Sequence, residues 1–174
     1  MKKNALLEQD DVAWMQKALH EAADAEATGE VPVGSVIIVD GVLIGRGRNS
    51  PIALNDPTAH AEIQALRSAA RQLGNYRLVD ATVYVTVEPC LMCMGALLHA
   101  RVRRVVFGCL DEKFGAVGSL YDLSRDPRLN HQIEVMAGVL EEECRGLLRK
   151  FFRKKRAAVR RNGETGKEER ETEQ

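Results

Sequence analysis

Two short stretches of the sequence carry side chains that could perform chemistry together. They are His60-Ala61-Glu62 and Pro89-Cys90-Leu91-Met92-Cys93. Zinc binds nitrogen and sulfur ligands in a tetrahedron, and a catalytic zinc site uses three protein ligands and leaves the fourth position to water. The imidazole and the two thiols are therefore predicted to hold one Zn²⁺, with His60, Cys90 and Cys93 as ligands. Glu62 is left as a general acid and base for the water, and not as a fourth ligand.

The two cysteines must lie at the start of a helix for this chemistry. Cys90 and Cys93 are three residues apart, so their side chains share one face of a helix. Pro89 suits the first turn of that helix, where a missing N–H costs nothing. The helix N-terminus and a bound metal would both favour thiolate over thiol.

The spacing of His60 and Glu62 also requires a helix start. In the middle of a helix, residues two apart point about 200° away from each other and cannot share a target. They converge only where the helix begins. The preceding Asp56-Pro57-Thr58 predicts such a start, with Asp or Thr as the N-cap and Pro just inside.

Other interpretations of the same residues stay open. Cys-x-x-Cys in a reduced protein can be a redox pair or half of a structural zinc site. A structural site needs a fourth ligand, and His99 faces about 240° away from Cys93 around the helix. Cys109 and His131 remain candidates for that ligand. The combination of both stretches at helix starts nevertheless favours a catalytic site.

The combination of His-x-Glu with Pro-Cys-x-x-Cys resembles the signature of the zinc-dependent nucleoside and nucleobase deaminases. Further likeness to the bacterial tRNA-specific adenosine deaminases, which make inosine at the anticodon wobble position, lies in residues 75–78, 80–86 and 107–120. This resemblance covers about residues 12–152. It implies a three-layer α/β/α cytidine-deaminase-like fold, with a central five-stranded mixed sheet and helices on both faces. It also implies one Zn²⁺ per subunit, a tRNA anticodon stem-loop as partner, and a homodimer.

The resemblance assigns substrate contacts position by position. Asn49 would contact the target nucleoside, and Glu88 and the backbone around Ala61 would line the pocket. A further set would touch neighbouring nucleotides: Asp111, Asp122, Asn130, His131, Phe152, Arg153, Lys155 and Arg156.

Length and composition are those of one soluble domain. The chain has 174 residues, of which 45% are hydrophobic and 29% charged, enough for a substantial buried core. We expect a single deaminase domain over residues 1–156 and a charged, disordered tail over residues 157–174. Neither a signal peptide nor a membrane span is recognisable. Four cysteines, two of them assigned to metal, favour a reducing cytoplasm over a disulfide framework.

The zero net charge conceals a basic run near the C-terminus. Residues 145–161 carry nine Lys and Arg side chains and no acidic one. Such a run is most often a solvated helix face, but beside a deaminase signature it becomes a candidate for binding nucleic acid.

Hydrophobic periodicity and turn signals predict alternating elements. Helices are expected over about 10–28, 59–73 and 90–100 and from residue 140 onward. Strands are expected over 33–39, 42–48, 81–86, 102–107 and 133–139. Asp40-Gly41 predicts a tight hairpin between the first two strands. The alternation from the third strand onward implies parallel pairing with helices on both faces.

The favoured hypothesis is hydrolytic deamination of adenosine to inosine in a tRNA anticodon loop, by attack of zinc-bound hydroxide at C6 of adenine. One rival is a deaminase of a free nucleobase or nucleoside of the guanine or cytosine type, which would not need the basic run. A second rival is a non-catalytic, zinc-stabilised RNA-binding module, which would not need Glu62 beside the ligands.

Overall fold

The computed structural model describes the backbone of residues 2–171 and the side chains of residues 10–160. Its helices are α1 (Lys2–Ala27), α2 (Pro51–Leu54), α3 (Ala61–Leu73), α4 (Leu91–His99) and α5 (Glu141–Glu171). Its strands are β1 (Gly34–Val39), β2 (Val42–Arg48), β3 (Thr82–Val87), β4 (Arg104–Cys109) and β5 (Glu134–Ala137). The boundary predicted after residue 156 falls within α5. The division into a domain and a disordered tail stays a prediction, and residues 161–174 of that tail lie outside the described side chains.

The five strands form one mixed sheet in the order β2-β1-β3-β4-β5. β1 runs antiparallel to both β2 and β3, whereas β4 runs parallel to β3 and to β5. The parallel half places the carboxyl ends of β3 and β4 at one edge of the sheet, next to the cysteine stretch that follows β3. This topology confirms the predicted five-stranded mixed sheet.

Alternate residues of the central strands face opposite layers of helices, because successive strand side chains point to opposite faces of a sheet. Ile37, Val83 and Phe107 pack in the core that contains residues of α3 and α4. Val36 and Val106 pack in the core that contains residues of α1 and α5. The three-layer α/β/α architecture is therefore confirmed.

The predicted hairpin between β1 and β2 is present. Asp40 and Gly41 both have positive φ angles, 50° and 73°. A two-residue turn of this kind matches the right-handed twist of the flanking strands, and Asp-Gly is one of its preferred sequences. β2 has the bounds that were predicted.

Most other predicted bounds lie within two residues of the observed ones, and three differences remain. α1 begins at Lys2, earlier than the predicted residue 10. β5 covers only Glu134–Ala137 because it is an edge strand that is largely exposed. The loop predicted between β2 and α3 contains the short helix α2, which begins with Pro51 and ends at Asn55 in the left-handed conformation.

Among the described residues, no helix is both long and apolar enough to cross a membrane. All four cysteines carry free thiols. Cys109 and Cys144 are buried together in the core between the sheet and α1 and α5. Cys109 is thereby placed among core residues and outside the group that contains Cys90 and Cys93.

Candidate metal centre

The end of β2 determines where α3 begins. Gly47 has no room for a side chain, because a Cβ atom there would collide with the carbonyl oxygen of Ala61 and the nitrogen of Ala65. The absence of a side chain lets the helix backbone approach the strand closely. Asn49 follows the strand and is buried, and its Oδ1 accepts a hydrogen bond of 3.1 Å from the Ala61 N–H. That bond satisfies one of the free N–H groups at the helix start.

His60 is itself the N-cap residue of α3. Its backbone is extended, with φ −71° and ψ 156°, and its side chain does not cap the helix. Because the residue is not helical, the rotation that would separate it from Glu62 does not apply. Glu62 occupies the second position of the helix, where an acidic side chain also interacts favourably with the helix dipole.

The predicted N-cap at Asp56 or Thr58 is wrong. Asp56 instead forms a turn in which its Oδ1 accepts hydrogen bonds from the Thr58 N–H at 2.8 Å and the Thr58 hydroxyl at 2.7 Å. Asx turns of this kind compete with helix capping by the same side chain. The turn delays the helix until Ala61, which leaves His60 in the extended conformation.

The cysteine stretch shows the same arrangement. Cys90 is the N-cap residue of α4, with φ −76° and ψ 173°, and Cys93 is the third residue of the helix. Pro89 therefore precedes the cap and does not lie in the first turn as predicted. Its carbonyl oxygen accepts a hydrogen bond of 2.9 Å from the Ala116 N–H, which holds it in an extended connection to a distant loop.

These helix starts bring the three predicted ligands together. His60 Nδ1 lies 3.7 Å from Cys90 Sγ and 3.6 Å from Cys93 Sγ. All three ligand atoms lie within 4.8 Å of one another. Within the described part of the chain, this is the group of histidine, cysteine and acidic side chains that could hold a metal ion. Cys90 and His60 are half-buried and Cys93 is buried.

The electrostatics of this cluster favour a charged thiolate. Hydrogen bonds from Cys93 and then His60 lower the pKa of Cys90 to about 4. Hydrogen bonding to Cys90 in turn raises the pKa of His60, and the same interaction together with burial raises the pKa of Cys93. Without a metal ion the cluster therefore shares its protons so that one thiolate is stabilised by its two neighbours.

Glu62 lies beside this cluster and is 4% exposed. Burial raises the pKa of its carboxyl group to about 7, although its own backbone N–H and the charge of His60 act in the opposite direction. Its carboxyl group also interacts with the thiol of Cys93. A buried carboxyl whose pKa is near neutrality can both accept and release a proton at physiological pH, which is what a general acid and base requires.

The chain was compared with known families and structures. The MafB19-like deaminase family matches residues 9–156. The chain belongs to the MafB19-like deaminases. The tRNA-specific adenosine deaminase of Haemophilus influenzae is 52% identical over 84% of this chain and 85% of its own length. The enzyme of the same name from Bacillus subtilis is 47% identical over 87% of this chain and 96% of its own length.

A solved structure supports the same relationship. It comes from work on A-to-I editing by tRNA:A34 deaminases at the wobble position of transfer RNA. It superimposes with a TM-score of 0.76 at 43% sequence identity and covers 78% of this chain and 99% of that one. A cytidine-deaminase-like fold follows for this deaminase, as does membership of the hydrolases.

The structure of the deaminase places Glu88 differently from the expectation of a pocket-lining residue. Glu88 is buried, and its carboxylate accepts hydrogen bonds from three residues of the loop that follows β4. We define residues 110–124 as the rim loop. Ser119 of this loop was not singled out from the sequence, because no local pattern connects it to Glu88.

The residues expected to touch neighbouring nucleotides fall into three groups. Asp111 and Asp122 both lie in the rim loop and use side-chain oxygens to accept local backbone N–H groups. Asn130 and His131 lie beyond it, where Asn130 accepts a hydrogen bond from Arg101 and His131 donates one of 2.7 Å to the Val102 carbonyl. The remaining four lie exposed on α5, and they are Phe152, Arg153, Lys155 and Arg156.

The basic run on α5 is not uniformly available for a ligand. Arg145 is paired with Glu141 and Glu142, and Lys154 lies 2.8 Å from a carboxylate oxygen of Glu26 on α1. The Lys154–Glu26 pair links the two helices on one face of the sheet. Lys155 lies 5.4 Å from the ring centre of Phe151.

Replacing Asn49 with alanine in this deaminase is expected to lower activity on RNA without changing metal content. The variant loses the amide that holds the Ala61 N–H and the NH₂ group that would face a substrate. A loss of positioning reduces turnover even when the reactive groups are intact. Turnover of an anticodon stem-loop and bound metal per chain are the measurements. Wild-type kinetics would reduce Asn49 to a turn residue.

Proposed function

We propose that this deaminase converts adenosine to inosine at the wobble position of a tRNA anticodon loop and releases ammonia. The observation that carries this proposal is the buried carboxyl of Glu62 beside the cluster of one imidazole and two thiols. A ligand cluster alone would suit a structural metal, whereas the extra acid suits hydrolysis. The names of the relatives, tRNA-specific adenosine deaminase, support adenosine in tRNA as the substrate.

We infer that the cluster holds Zn²⁺, one ion per subunit. Bond lengths of about 2.05 Å to nitrogen and about 2.3 Å to sulfur, at tetrahedral angles, separate the two ligand atoms by about 3.6 Å. The observed nitrogen–sulfur separations of 3.6 and 3.7 Å fit that value. When bound, zinc supplies a Lewis acid that makes water a nucleophile at neutral pH.

The protein's own contribution is to hold and move protons and to hold the base. Glu62 accepts a proton from the attacking water and delivers protons to N1 of the adenine ring and to the leaving amine. Asn49 presents its NH₂ group to the nucleoside while its oxygen holds the Ala61 N–H. The target base must leave its stack to reach these groups, which costs least in an unpaired loop.

Incubation with total tRNA followed by sequencing of the products tests this proposal. Inosine is expected where an unmodified tRNA has adenosine at the wobble position, together with release of ammonia. Retention of adenosine in every tRNA would overturn the proposal. Free guanine and cytidine, offered separately, test the alternative of a free-nucleobase deaminase.

Neither alternative function is favoured. The relatives at 42–52% identity are named for tRNA and not for a free nucleobase. A non-catalytic zinc-stabilised module would gain nothing from burying a carboxyl group at the ligands, because a buried, unpaired charge costs free energy.

Reversing the charges of Arg153, Lys155 and Arg156 to glutamate is expected to weaken tRNA binding while leaving metal content and melting temperature unchanged. Each of these side chains is exposed on α5. If each neutralises one phosphate, the salt dependence of binding should fall by about 0.7 to 0.9 per contact. The measurement is tRNA titration at several salt concentrations.

A matched control for this variant is the reversal of Lys154 alone. Lys154 is paired with Glu26, so its reversal is expected to lower the melting temperature more than the RNA affinity. An unchanged affinity and salt slope in the triple variant would make the run a solvated helix face.

We also propose a homodimer and a cytoplasmic location. Leu73, Tyr76 and Val79 expose large apolar side chains close together in sequence after α3, which favours cover by a second protein surface. Sedimentation velocity of the purified protein tests the dimer. The four free thiols and a tRNA substrate both suit the reducing cytoplasm.

A further inference from the structure

Glu88 is a buried carboxylate whose hydrogen bonds all go to one distant loop. Its side chain is 2% exposed. Oε1 accepts hydrogen bonds of 3.0 Å from the backbone N–H groups of Val117 and Ser119. Oε2 accepts one of 3.1 Å from the Asp111 N–H and another from the Ser119 hydroxyl. Both oxygens are thus used by residues 23 to 31 positions away in the sequence.

The loop is built to receive this carboxylate. A Cβ atom at Gly115 would collide with the carboxylate of Glu88 and lie 2.6 Å from the Asp111 carbonyl oxygen, so the position admits only glycine. Hydrogen bonds from N–H groups to an ionised acceptor are stronger than those between neutral groups. Since burial of the carboxylate without them would be costly, Glu88 and the rim loop depend on each other.

The same loop is joined to the metal stretch through the backbone. Gly115 pairs with Cys90 in an isolated antiparallel bridge, and the Ala116 N–H donates to the Pro89 carbonyl oxygen at 2.9 Å. The clamp at Glu88 therefore sits one residue before a connection that reaches a predicted metal ligand. The rim loop cannot shift relative to Cys90 without breaking this pattern.

The outer surface of the clamped loop is suited to contact nucleotides. Leu110 and Phe114 are 53% and 67% exposed, although both are apolar. Exposed rings beside a reaction site offer stacking surfaces for unpaired bases. The Phe114 N–H is itself held by the Asp111 carboxylate at 3.2 Å, so the ring projects from an ordered turn.

We propose that Glu88 is a positioning residue for the RNA substrate. It acts through the rim loop, which it fixes at the edge of the metal centre so that Asp111 and Phe114 meet the nucleotides beside the target base. It does so without touching the substrate, which differs from the pocket-lining role that the family resemblance implied. This inference rests on the proposed function of the deaminase.

Replacing Glu88 with glutamine tests the proposal. The amide NH₂ faces donors where the carboxylate oxygen accepted, so at least one side of the clamp opens. KM for an anticodon stem-loop is expected to rise by at least about tenfold, the effect of losing a hydrogen bond to a charged group. kcat at saturating RNA and bound zinc are expected to stay near wild type, because Glu62 and the ligands are unchanged. A purely structural role would not separate KM from kcat.

Ser119→Ala supplies a matched partner for a double-mutant cycle. It removes one donor to Glu88 and leaves the carboxylate in place. If Glu88 acts through the loop, the effects of Glu88→Gln and Ser119→Ala on KM will be strongly non-additive. Additive effects, or an unchanged KM in Glu88→Gln, would overturn the proposal.

Hydrogen exchange gives a readout that does not depend on turnover. The amides of Asp111, Val117 and Ser119 are expected to lose protection in Glu88→Gln, and unchanged protection would refute the clamp. If wild-type protein does not deaminate the stem-loop, the proposed function fails. The exchange measurement and RNA titrations of both variants then still decide whether Glu88 holds the loop for RNA.

Discussion

Replacement of Glu62 by alanine is expected to abolish turnover and leave the metal bound. General acid–base catalysis contributes about 10² to 10⁴ in rate, and here one carboxyl group has to serve for several proton transfers. The metal should remain because the three ligand atoms already lie within 4.8 Å of one another without Glu62. The stability of the fold should not fall sharply, since the variant removes a buried ionisable group.

Bound metal and inosine formation must be measured on the same preparation. Loss of metal in Glu62→Ala would make the carboxyl a ligand, and near-normal turnover would remove its catalytic role. Glu62→Gln preserves the volume of the side chain and is expected to be equally inactive, which separates proton transfer from packing.

Gln64→Met is a control on the same helix. Gln64 lies two residues beyond Glu62, and its Nε2 atom is buried without a hydrogen-bond partner among the described residues. Its replacement by an apolar side chain of similar length leaves no polar group unpaired. Normal turnover in this variant would show that substitution within the first turns of α3 is not itself harmful.

Local sequence patterns were sufficient to predict most of the fold. The Asp40-Gly41 turn and the runs of β-branched residues on either side of it determine β1 and β2 through interactions between near neighbours. α3 and α4 were predicted within two residues because their apolar positions recur at helical spacing. α2 was missed because a helix of four residues is too short to show such a period.

The metal ligands were predictable, but their backbone conformations were not. Capping rules expect an oxygen-bearing side chain that bonds the helix N–H groups. His60 and Cys90 occupy the N-cap positions without making such a bond. Their side chains turn towards each other instead. A tertiary requirement has replaced the local capping preference at both helices, and local rules therefore placed the helix starts incorrectly.

The role of Glu88 could not be derived from the sequence at all. Its donors come from Asp111, Val117 and Ser119, and the nearest of these is 23 residues away. No periodicity relates a residue between a strand and a helix to a loop of mixed composition. Only the parallel pairing of β3 with β4 brings the two segments to the same edge of the sheet.

Cys90→Ser and Cys93→Ser are expected to lose the metal and to melt at a lower temperature. Metal binding is coupled to folding, because the unfolded chain does not hold the three ligands together. With free metal at about a thousand times its dissociation constant, binding stabilises the fold by about 4 kcal/mol, which both variants would forfeit.

The choice of serine excludes a simpler explanation at Cys90. Cys90 is the N-cap of α4, and serine is among the most favourable N-cap residues. The local helix start should therefore be retained or improved, so a loss of stability can be attributed to the missing thiolate. Wild-type protein treated with a chelator should melt like the two variants, and the chelator should have little further effect on them.

Cys109→Ala is the matched control for both variants. Cys109 is also buried, but it lies in the core formed with α1 and α5 and outside the ligand cluster. Its loss should cost a modest amount of packing and leave one metal ion bound per chain. Metal analysis and thermal melts of the three variants decide the assignment. Full occupancy with normal melting in both serine variants would place the metal elsewhere, and loss of metal only in Cys109→Ala would contradict the ligand set directly.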